Sequence, residues 1–362
     1  MTSNQKAETG LSIVISNWNG RSLLERFLPS VVASTAAFEG TCQWPSEIVI
    51  ADDASEDGTR AWLAAQFPRV RCESSPLRSG APATANRGVR LARYPLVYVM
   101  NNDVALEPTT LPVLLEHFVG RRVFAVSSQV YDYNTGILCG GGQLGEFRRG
   151  FLGIHRRYFV PSPSGGQDPW LTLWAASAYT LYDREKFLAL GGFDELFTPY
   201  GWEDVELSLR AWKQGFELHY EPRSVVWHRL SSTMGPRYPR RKLRALNERG
   251  RLLTHWLHLD TPAQVTQHSL FLLLKLLAAM FVGGWDTWSA TAQAVRRWDE
   301  IKARRQALRA KQQRTLDDVV NEMAKQLGRL GAKALNQTSA PVRPYLTPPG
   351  RAPRQMRKLG RR

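Results

Sequence analysis

The 362-residue sequence predicts an α/β fold built on a mostly parallel central sheet. Three short apolar runs, at residues 11–15, 47–51 and 96–100, have the composition of buried strands. Segments with apolar residues at helical spacing separate these runs, and such alternation is typical of a parallel sheet. Hydrophobic residues make up 43% of the chain and charged residues 22%, which indicates a folded protein rather than a disordered one.

The remaining elements follow in chain order. We expect helices at 23–32, 59–66, 83–93 and 111–119, and a fourth strand at 123–130. Residues 131–170 are rich in Gly, Arg and aromatic side chains, and we expect an irregular, mobile loop there. An apolar run at 171–182, helices at 183–190 and 205–214, and a short strand at 225–228 complete this part.

Positive charge is concentrated near the C-terminus. The chain carries a net charge of +16, and residues 296–362 contain 18 Lys and Arg against 5 Asp and Glu. The rest of the chain holds 30 basic and 27 acidic residues and is nearly neutral. Such a balance implies a polyanionic partner: nucleic acid, an anionic membrane surface or a phosphorylated ligand.

The C-terminal third also contains a strongly apolar stretch. Residues 269–285 carry one charge, Lys275, and span 17 residues, against about 20 for a bilayer-spanning helix. A buried core helix, a helix in the membrane interface and a short span all remain open. A basic helix is predicted at 296–330. We therefore expect an α/β domain at 1–250, a helical, membrane-associating region at 251–335 and a basic, Pro/Arg-rich disordered tail at 336–362.

The cysteine content and the N-terminus bear on the compartment. Three cysteines are too few for a disulfide framework, which fits a reducing environment. The first ten residues contain no apolar stretch, so we expect no secretory signal and a cytoplasmic location.

Polar clusters follow three of the predicted strands, at Ser16–Asn19, Asp52–Ser55 and Asn101–Asp103. Ligands of open α/β sheets bind beyond the carboxyl ends of the strands, so we expect these clusters to converge at one edge. Glu203 and Asp204 open a further predicted helix, and His228 ends the last strand.

Taken in order, these segments resemble the family 2 glycosyltransferases with the GT-A fold over about residues 11–230. The resemblance implies a Rossmann-like sheet with flanking helices, and transfer of a sugar from a nucleotide-diphosphate sugar. It is closest to bacterial rhamnosyltransferase-like enzymes that build cell-surface polysaccharide. Two departures stand out: Asn101 replaces the first acid of the DxD-type metal motif, and Arg78–Pro82 replaces a loop that usually begins with asparagine. The matching segments are 12–20, 48–57, 86–93, 101–103, 191–195, 202–210 and 226–228.

A diphosphate leaving group gains negative charge during transfer, and a divalent metal, Mg²⁺ or Mn²⁺, can stabilise that charge. The resemblance assigns Asp103 as the carboxylate ligand and His228 as the second protein ligand, because such metals accept oxygen and imidazole donors. The alternative for His228 is a histidine satisfied by its own strand end.

Inversion at the sugar, which the resemblance implies, needs a base for the acceptor hydroxyl. The resemblance assigns Asp204 as that base and Glu203 as the neighbour that orients it or the acceptor. The alternative is that both residues only stabilise the start of their helix.

The nucleotide is expected at the other strand ends. Asp52 would accept a hydrogen bond from the N3–H of uracil or thymine, in a UDP- or dTDP-sugar, and Asp53 would reach the ribose. Ser16, Trp18 and Asn102 would line the same edge, and Arg87 would contact phosphate or sugar. The alternatives are an Asx turn for the aspartates, core packing for Trp18 and an exposed helix position for Arg87.

The expected acceptor is a hydroxyl of a glycan or of a lipid-linked glycan. Such a substrate would lie at the anionic inner face of the cell membrane, where the basic C-terminal region would bind peripherally. A catalytically inactive sugar-nucleotide-binding or scaffold protein is the alternative raised by Asn101. Binding of nucleic acid is disfavoured, because the basic tail offers only Trp298 and Tyr345 for base stacking and no nucleic-acid motif is apparent.

Overall fold

The computed structural model describes residues 9–120, 122–159, 169–230 and 238–329. The predicted basic tail at 336–362 lies outside the described residues. A central sheet with helices on both faces is followed by five further helices. The fold class expected from the sequence, an α/β fold with flanking helices and a helical C-terminal region, is confirmed.

The central sheet is parallel in its first half and mixed in its second. Strand β1 pairs in parallel with β2 on one side and β4 on the other, and β11 then runs antiparallel to β4 and to β6. The main sheet order is β10-β12-β6-β11-β4-β1-β2-β3, with β5 on β12 and β7 on β6. The strands are β1 Leu11–Asn17, β2 Ser46–Asp52, β3 Arg71–Ser74, β4 Leu96–Asn101, β5 Val104–Leu106, β6 Val123–Asp132, β7 Leu138–Gly140, β8 Gly142–Arg148, β9 Phe151–Tyr158, β10 Trp170–Leu171, β11 Tyr179–Asp183 and β12 Glu217–His228.

Six helices cover this sheet. Alternate residues of β1 face opposite cores: Val14 packs on one side, while Ile13 and Ile15 pack on the other. At Gly88 a Cβ atom would lie 2.3 Å from Val14 Cγ1, so glycine allows its helix to approach β1 closely. The helices are α1 Arg21–Cys42, α2 Thr59–Gln66, α3 Ala81–Leu91, α4 Pro112–Leu115, α5 Arg184–Ala189 and α6 Glu203–Lys213.

The expectation of an irregular loop at 131–170 is wrong for the described residues. Strands β8 and β9 form an antiparallel hairpin, and its turn residues Arg149 and Gly150 both have positive φ, 51° and 72°. A two-residue turn of this kind matches the twist of a hairpin. Leu144, Leu152 and Tyr158 of the hairpin are buried in the core, which is why the segment is ordered despite its composition.

The C-terminal part consists of α7 Arg240–His258, α8 Pro262–Phe281, α9 Trp285–Val295, α10 Trp298–Lys311 and α11 Leu316–Arg329. The single basic helix predicted at 296–330 is therefore wrong: it is broken between α10 and α11. The break is held by the backbone N–H groups of Gln313 and Arg314, which donate to the Lys213 carbonyl. Helix α7 crosses position 250, where the sequence analysis placed a domain boundary. Asp260 joins the parts further, since its carboxylate accepts from Lys213 Nζ at 2.6 Å and from Leu316 N at 2.6 Å.

Candidate active site

The ends of β1, β2 and β4 open into one cleft, as their polar clusters led us to expect. Parallel registry places Asn17 beside Asp52, and Ser16 beside Asn101. The wall opposite comes from the start of α6 and the loop before it. The cleft is lined by Ser16, Asn17, Trp18, Asp53, Arg78, Gly80, Ala81, Thr84, Asn101, Asn102, Ser177, Pro199, Tyr200 and Glu203.

Asp52 lies in a hydrogen-bond network beneath this cleft. Its Oδ1 accepts from Asn17 Nδ2 at 2.8 Å and Ser55 Oγ at 2.5 Å, and its Oδ2 accepts from Ser55 N at 3.0 Å and Ser74 Oγ at 3.1 Å. The residue is 1% exposed. Because Asp52 is not among the residues that line the cleft and both of its oxygens are occupied, this geometry favours a positioning role for Asp52 over the expected contact with the nucleotide base.

Asp53 does line the cleft. It holds the loop before α3, since Oδ1 accepts from Ser79 N at 2.7 Å and Oδ2 from Gly80 N at 2.9 Å. At Gly80, φ is 89° and a Cβ atom would come within 2.9 Å of Thr198, so this loop position needs glycine. The oxygens of both aspartates accept hydrogen bonds from the protein, but only Asp53 also lines the cleft where a ligand would bind.

Arg78 is a cleft residue whose role the sequence analysis missed. Its guanidinium lies 3.3 Å from the centre of the Trp18 ring, and its Nη2 donates to Tyr238 Oη at 3.0 Å. Its Nε is 4.0 Å from Asp53 Oδ2. A cation stacked on an aromatic ring at the cleft wall is suited to an anionic or aromatic ligand. The only signal in the sequence was that residues 78–82 depart from the usual family loop.

Arg87 and Asn102 serve the strand ends in the structure. Arg87 Nη2 donates to the backbone carbonyl of Asp52 at 2.5 Å and to that of Glu73 at 3.4 Å. The expected contact of Arg87 with phosphate or sugar is thus not favoured, because its guanidinium already binds backbone carbonyls of the adjacent strands β2 and β3. Asn102 lines the cleft and donates from Nδ2 to Asn17 Oδ1 at 2.7 Å. Asn102 thereby extends the Asp52 network into the cleft wall.

The two expected metal ligands meet. Asp103 Oδ1 lies 3.2 Å from His228 Nε2, and Asp103 is 3% exposed. Among the residues that the structure describes, no hydrogen-bond partner reaches this oxygen. A buried carboxylate oxygen beside an imidazole nitrogen, without hydrogen-bond geometry between them, fits two donors to one cation. Within the same residues no cluster of three or more His, Cys, Asp or Glu could hold a metal, so a cation here would need ligands from a substrate.

A carboxylate at the start of α6 lines the wall opposite the strand ends, and a second carboxylate follows it in the chain. Glu203 is 7% exposed and lines the cleft, and its Oε2 accepts from Gly201 N at 2.5 Å. Asp204 accepts from the backbone N–H groups of Ser177 and of Val205, the latter at 2.8 Å. Burial and the Asp204 charge raise the pKa of Glu203 to about 7, and burial raises the pKa of Asp204 to about 6. Carboxylates with pKa values near neutrality are suited to general base catalysis.

A buried ion network fixes the helix that carries this pair. Arg210 pairs with Glu206 within α6, and its Nη1 donates to the carbonyls of Leu190 at 2.6 Å and Gly192 at 2.9 Å. His258 Nε2 of α7 lies 3.2 Å from Glu206 Oε1. Burial alone would raise the pKa of Glu206, but Arg210 and His258 lower it to about 2. The network therefore anchors α6 with its first turn facing the cleft.

Close packing of α7 shapes the turn before Glu203. Trp202 has a φ of 71°, which is rare for a non-glycine residue, and it precedes α6 directly. At Gly250 of α7 a Cβ atom would lie 2.3 Å from the Gly201 carbonyl oxygen. The glycine thus allows the helix to support the turn that presents Glu203 and Asp204.

Comparison with known proteins agrees with this geometry. A model of glycosyl transferase family 2 matches residues 12–159, and one described as the N-terminal domain of galactosyltransferase matches residues 169–230. An N-acetylglucosaminyl-diphospho-decaprenol L-rhamnosyltransferase of Mycobacterium tuberculosis is 28% identical over 252 residues, covering 62% of this chain and 78% of the relative. A validoxylamine A glucosyltransferase of Streptomyces hygroscopicus is 26% identical over 237 residues, covering 58% of this chain and 52% of the relative.

Among solved structures, the chain resembles GalNAc-T7 crystallised with UDP, GalNAc and Mn²⁺, with a TM-score of 0.55 and 19% identity. The match covers 70% of this chain and 48% of that chain, so the two share a fold over about half of GalNAc-T7. The cleft at the strand ends, the carboxylate pair and the family match over the sheet lead to one conclusion. Residues 12–159 belong to the family 2 glycosyltransferases, and the chain is a transferase that uses nucleotide-sugar donors.

Proposed function

We propose that this enzyme transfers a hexose from a UDP- or dTDP-sugar to a hydroxyl of a lipid-linked glycan, with inversion and with the aid of a divalent metal. The single observation that carries the proposal is the placement of Glu203, with Asp204 next to it in the chain, across one cleft from the ends of β1, β2 and β4. A base and a donor site on facing walls are what direct displacement at a sugar carbon requires.

The donor nucleotide would lie along the strand ends. Asp53 faces the nucleoside, Trp18 and Ser16 form the adjoining wall, and Asp52 holds the strand ends in place from below. Arg78, stacked on Trp18, is the nearest described cation to Asp53 and supplies positive charge for the diphosphate. This assignment moves the nucleotide contact from Asp52 to Asp53.

The metal site would be formed by Asp103 and His228. Their donor atoms lie side by side, and no hydrogen-bond donor of the described residues reaches the buried Asp103 Oδ1, which a cation would satisfy. A divalent metal bound there would supply positive charge to the leaving diphosphate. Mn²⁺ occurs with UDP in the structure of the fold relative GalNAc-T7, which supports testing that ion first.

The carboxylate pair would remove the proton from the acceptor hydroxyl. We assign Asp204 as the base, as the family resemblance implies, and Glu203, which lines the cleft, as the residue that orients the acceptor. Burial raises the pKa of Asp204 to about 6, which suits a base near neutral pH. Because each carboxylate disfavours ionisation of the other, the two titrate as a pair. The deprotonated pair is the active form.

The lipid-linked acceptor class is proposed by analogy with the mycobacterial relative, an N-acetylglucosaminyl-diphospho-decaprenol L-rhamnosyltransferase. A cell-surface polysaccharide role and a location at the inner face of the cell membrane follow from that acceptor.

Turnover of UDP- and dTDP-sugars tests the proposal. The wild-type chain with Mn²⁺ should release UDP or dTDP, and Asp204→Asn should lose this activity. Glu185→Gln is the matched control. Glu185 is also a carboxylate in the first turn of a helix, α5, but it is exposed and does not line the cleft. Nucleotide binding without turnover of any sugar nucleotide would instead identify the chain as an inactive sugar-nucleotide-binding protein.

A further inference from the structure

Helix α8 has an apolar face that the described residues leave uncovered. Leucine side chains on this face are 44–54% exposed, Met280 is 62% exposed and Phe281 is 89% exposed. They recur at intervals of three and four residues and so form one stripe. The leucines of this stripe are Leu270, Leu273, Leu274 and Leu277. Soluble monomers rarely expose a continuous apolar surface of this length.

The opposite face of α8 is fastened to the rest of the protein. Gln264, His268 and Leu272 are buried, and His268 Nε2 accepts from Trp256 Nε1 at 3.1 Å. Lys275, the one charge of the apolar stretch, is partly exposed and donates to Glu248 of α7 at 2.6 Å. By length and composition α8 is the one helix within the described residues that could cross a membrane. Crossing would break these contacts, so the geometry favours a helix that lies along a surface.

The apolar surface continues past the end of α8. Val282 is 81% exposed and Trp285, the first residue of α9, is 66% exposed. Trp288 follows one turn later at 39% exposure. Phe281, Val282 and Trp285 therefore project from the turn between α8 and α9. Bulky aromatic side chains at such a position are typical of proteins that insert into the headgroup region of a bilayer.

Basic side chains border this surface on the side of the active-site cleft. Arg241 and Lys242 of α7 line the same hollow as Trp285, and Arg240 beside them is exposed. Immediately before α7, Tyr238 accepts the hydrogen bond from Arg78 in the cleft wall. An apolar surface bordered by Arg and Lys complements an anionic bilayer, whose headgroups attract basic residues.

We propose that the apolar face of α8, the α8–α9 turn and the basic start of α7 form a surface that docks on an anionic lipid bilayer without spanning it. We call this the docking surface; its apolar part is Leu270, Leu273, Leu274, Leu277 and Met280–Trp285, and its basic part is Arg240–Lys242. The inference deepens the proposed function, because Tyr238 and Arg78 connect the basic part to the cleft where a lipid-linked acceptor would enter. Docking itself needs no turnover.

Vesicle sedimentation with the full chain tests the inference. We expect binding to phosphatidylcholine vesicles that contain phosphatidylglycerol, and weaker binding to phosphatidylcholine alone. Leu273→Glu and Leu277→Glu should each weaken binding about tenfold or more, because each replaces inserted apolar area with a charge. Arg240→Glu with Arg241→Glu should weaken binding only to the anionic vesicles, and added salt should weaken it in the same way.

Leu188→Glu on α5 is the matched control, because Leu188 is 38% exposed, close to Leu277 at 44%, and lies on another helix. Its vesicle binding should equal that of the wild type, and all variants should keep the wild-type melting temperature. The basic tail is identical in every variant, so its contribution to vesicle binding cancels when a variant is compared with the wild type.

Wild-type binding by both leucine variants would overturn the inference. So would a dimer in solution that Leu273→Glu dissociates, together with absence of vesicle binding, since the surface would then join two copies. The rate of UDP-sugar hydrolysis, in which water accepts the sugar, should be equal in Leu277→Glu and in the wild type. Loss of vesicle binding with retained turnover, or the reverse, therefore separates a failure of the docking surface from a failure of the proposed function.

Discussion

The sheet region, residues 11–230, and the helical region, residues 240–329, distribute apolar and charged side chains in opposite ways. Around the sheet, apolar residues such as Val14 and Trp227 are buried, and buried polar groups such as Asp52 are paired. On α8 the distribution differs: the partly exposed Lys275 pairs with an acidic partner, while the apolar Leu273 is more exposed than this lysine.

This difference indicates two kinds of surroundings. The sheet region is organised to present a polar cleft to a water-soluble donor, with its network of hydrogen bonds placed beneath the cleft. The outward apolar face of α8 does not stabilise the fold in water, because hydrophobic stabilisation requires that a side chain be removed from water. If the proposed docking holds, one chain combines a donor site for a water-soluble substrate with a surface that contacts an apolar phase.

The largest expected effect concerns the cleft. Asp204→Asn should lower kcat about 10²–10⁴-fold, the usual contribution of a positioned base. Its melting temperature at pH 8 should equal or exceed that of the wild type, because the substitution removes a charge that burial disfavours. Steady-state kinetics measures kcat, and thermal unfolding measures the melting temperature. Retained wild-type turnover would remove Asp204 as the base, and an unfolded variant would contradict its functional placement.

Two leucine-to-alanine substitutions compare how a buried and an exposed leucine contribute to the free energy of unfolding. Leu253→Ala should reduce the free energy of unfolding by about 2–5 kcal/mol, because Leu253 is fully buried. Leu277→Ala should change it by less than about 0.5 kcal/mol, because Leu277 is already exposed. Urea unfolding of both variants without lipid makes the measurement. Equal losses would mean that the α8 face is covered in solution.

Gly250 tests how the helical region supports the cleft. Gly250→Ala should cost about 1–3 kcal/mol of stability, because the added methyl group meets the Gly201 carbonyl oxygen at 2.3 Å. Displacement of the turn should also lower kcat, since the same turn presents Glu203. Gly328→Ala is the control, as a Cβ atom there meets nothing within 4 Å. An unchanged kcat in Gly250→Ala would show that the turn does not position the pair.

The smallest expected effect is the pH dependence of the carboxylate pair. Activity should rise with pH between about 6 and 7, because the base must be ionised and both pKa values are raised. Glu203→Gln should move this rise to lower pH by removing the neighbouring charge. Stability has the opposite sign: the folded pKa of Glu203 lies above its ordinary value, so its ionisation costs stability as pH rises through about 7.

Glu203→Gln should therefore gain stability relative to the wild type as pH increases from 5 to 8, by at most about 3 kcal/mol. Thermal unfolding across this range measures the difference. A constant difference would mean that Glu203 does not titrate there.

Local patterns were sufficient to predict β1, β2, β4 and their polar ends, because short apolar runs and the residues after them are properties of neighbouring positions. The antiparallel insertion of β11 and the β8–β9 hairpin depend on partners distant in the chain, so composition misled the prediction for 131–170. The pairing of Asp103 with His228 came from the family resemblance rather than from spacing.

The role of Asp52 was harder to predict for a different reason. Its carboxylate is occupied because parallel registry places Asn17 beside it, and the sequence does not show that registry. Arg78 was missed because it lies in a loop, where no periodicity indicates which way a side chain points.

The central claim is that residues distant in the chain form one site for a cation and a nucleotide diphosphate. Thermal unfolding with UDP or dTDP, with and without Mn²⁺, tests it most directly, because a ligand that binds only the folded state raises its stability. We predict that a diphosphate and Mn²⁺ together raise the melting temperature of the wild type, and that Asp103→Asn abolishes the metal-dependent part of this shift. An equal shift in Asp103→Asn, or no shift with either diphosphate, would contradict the account.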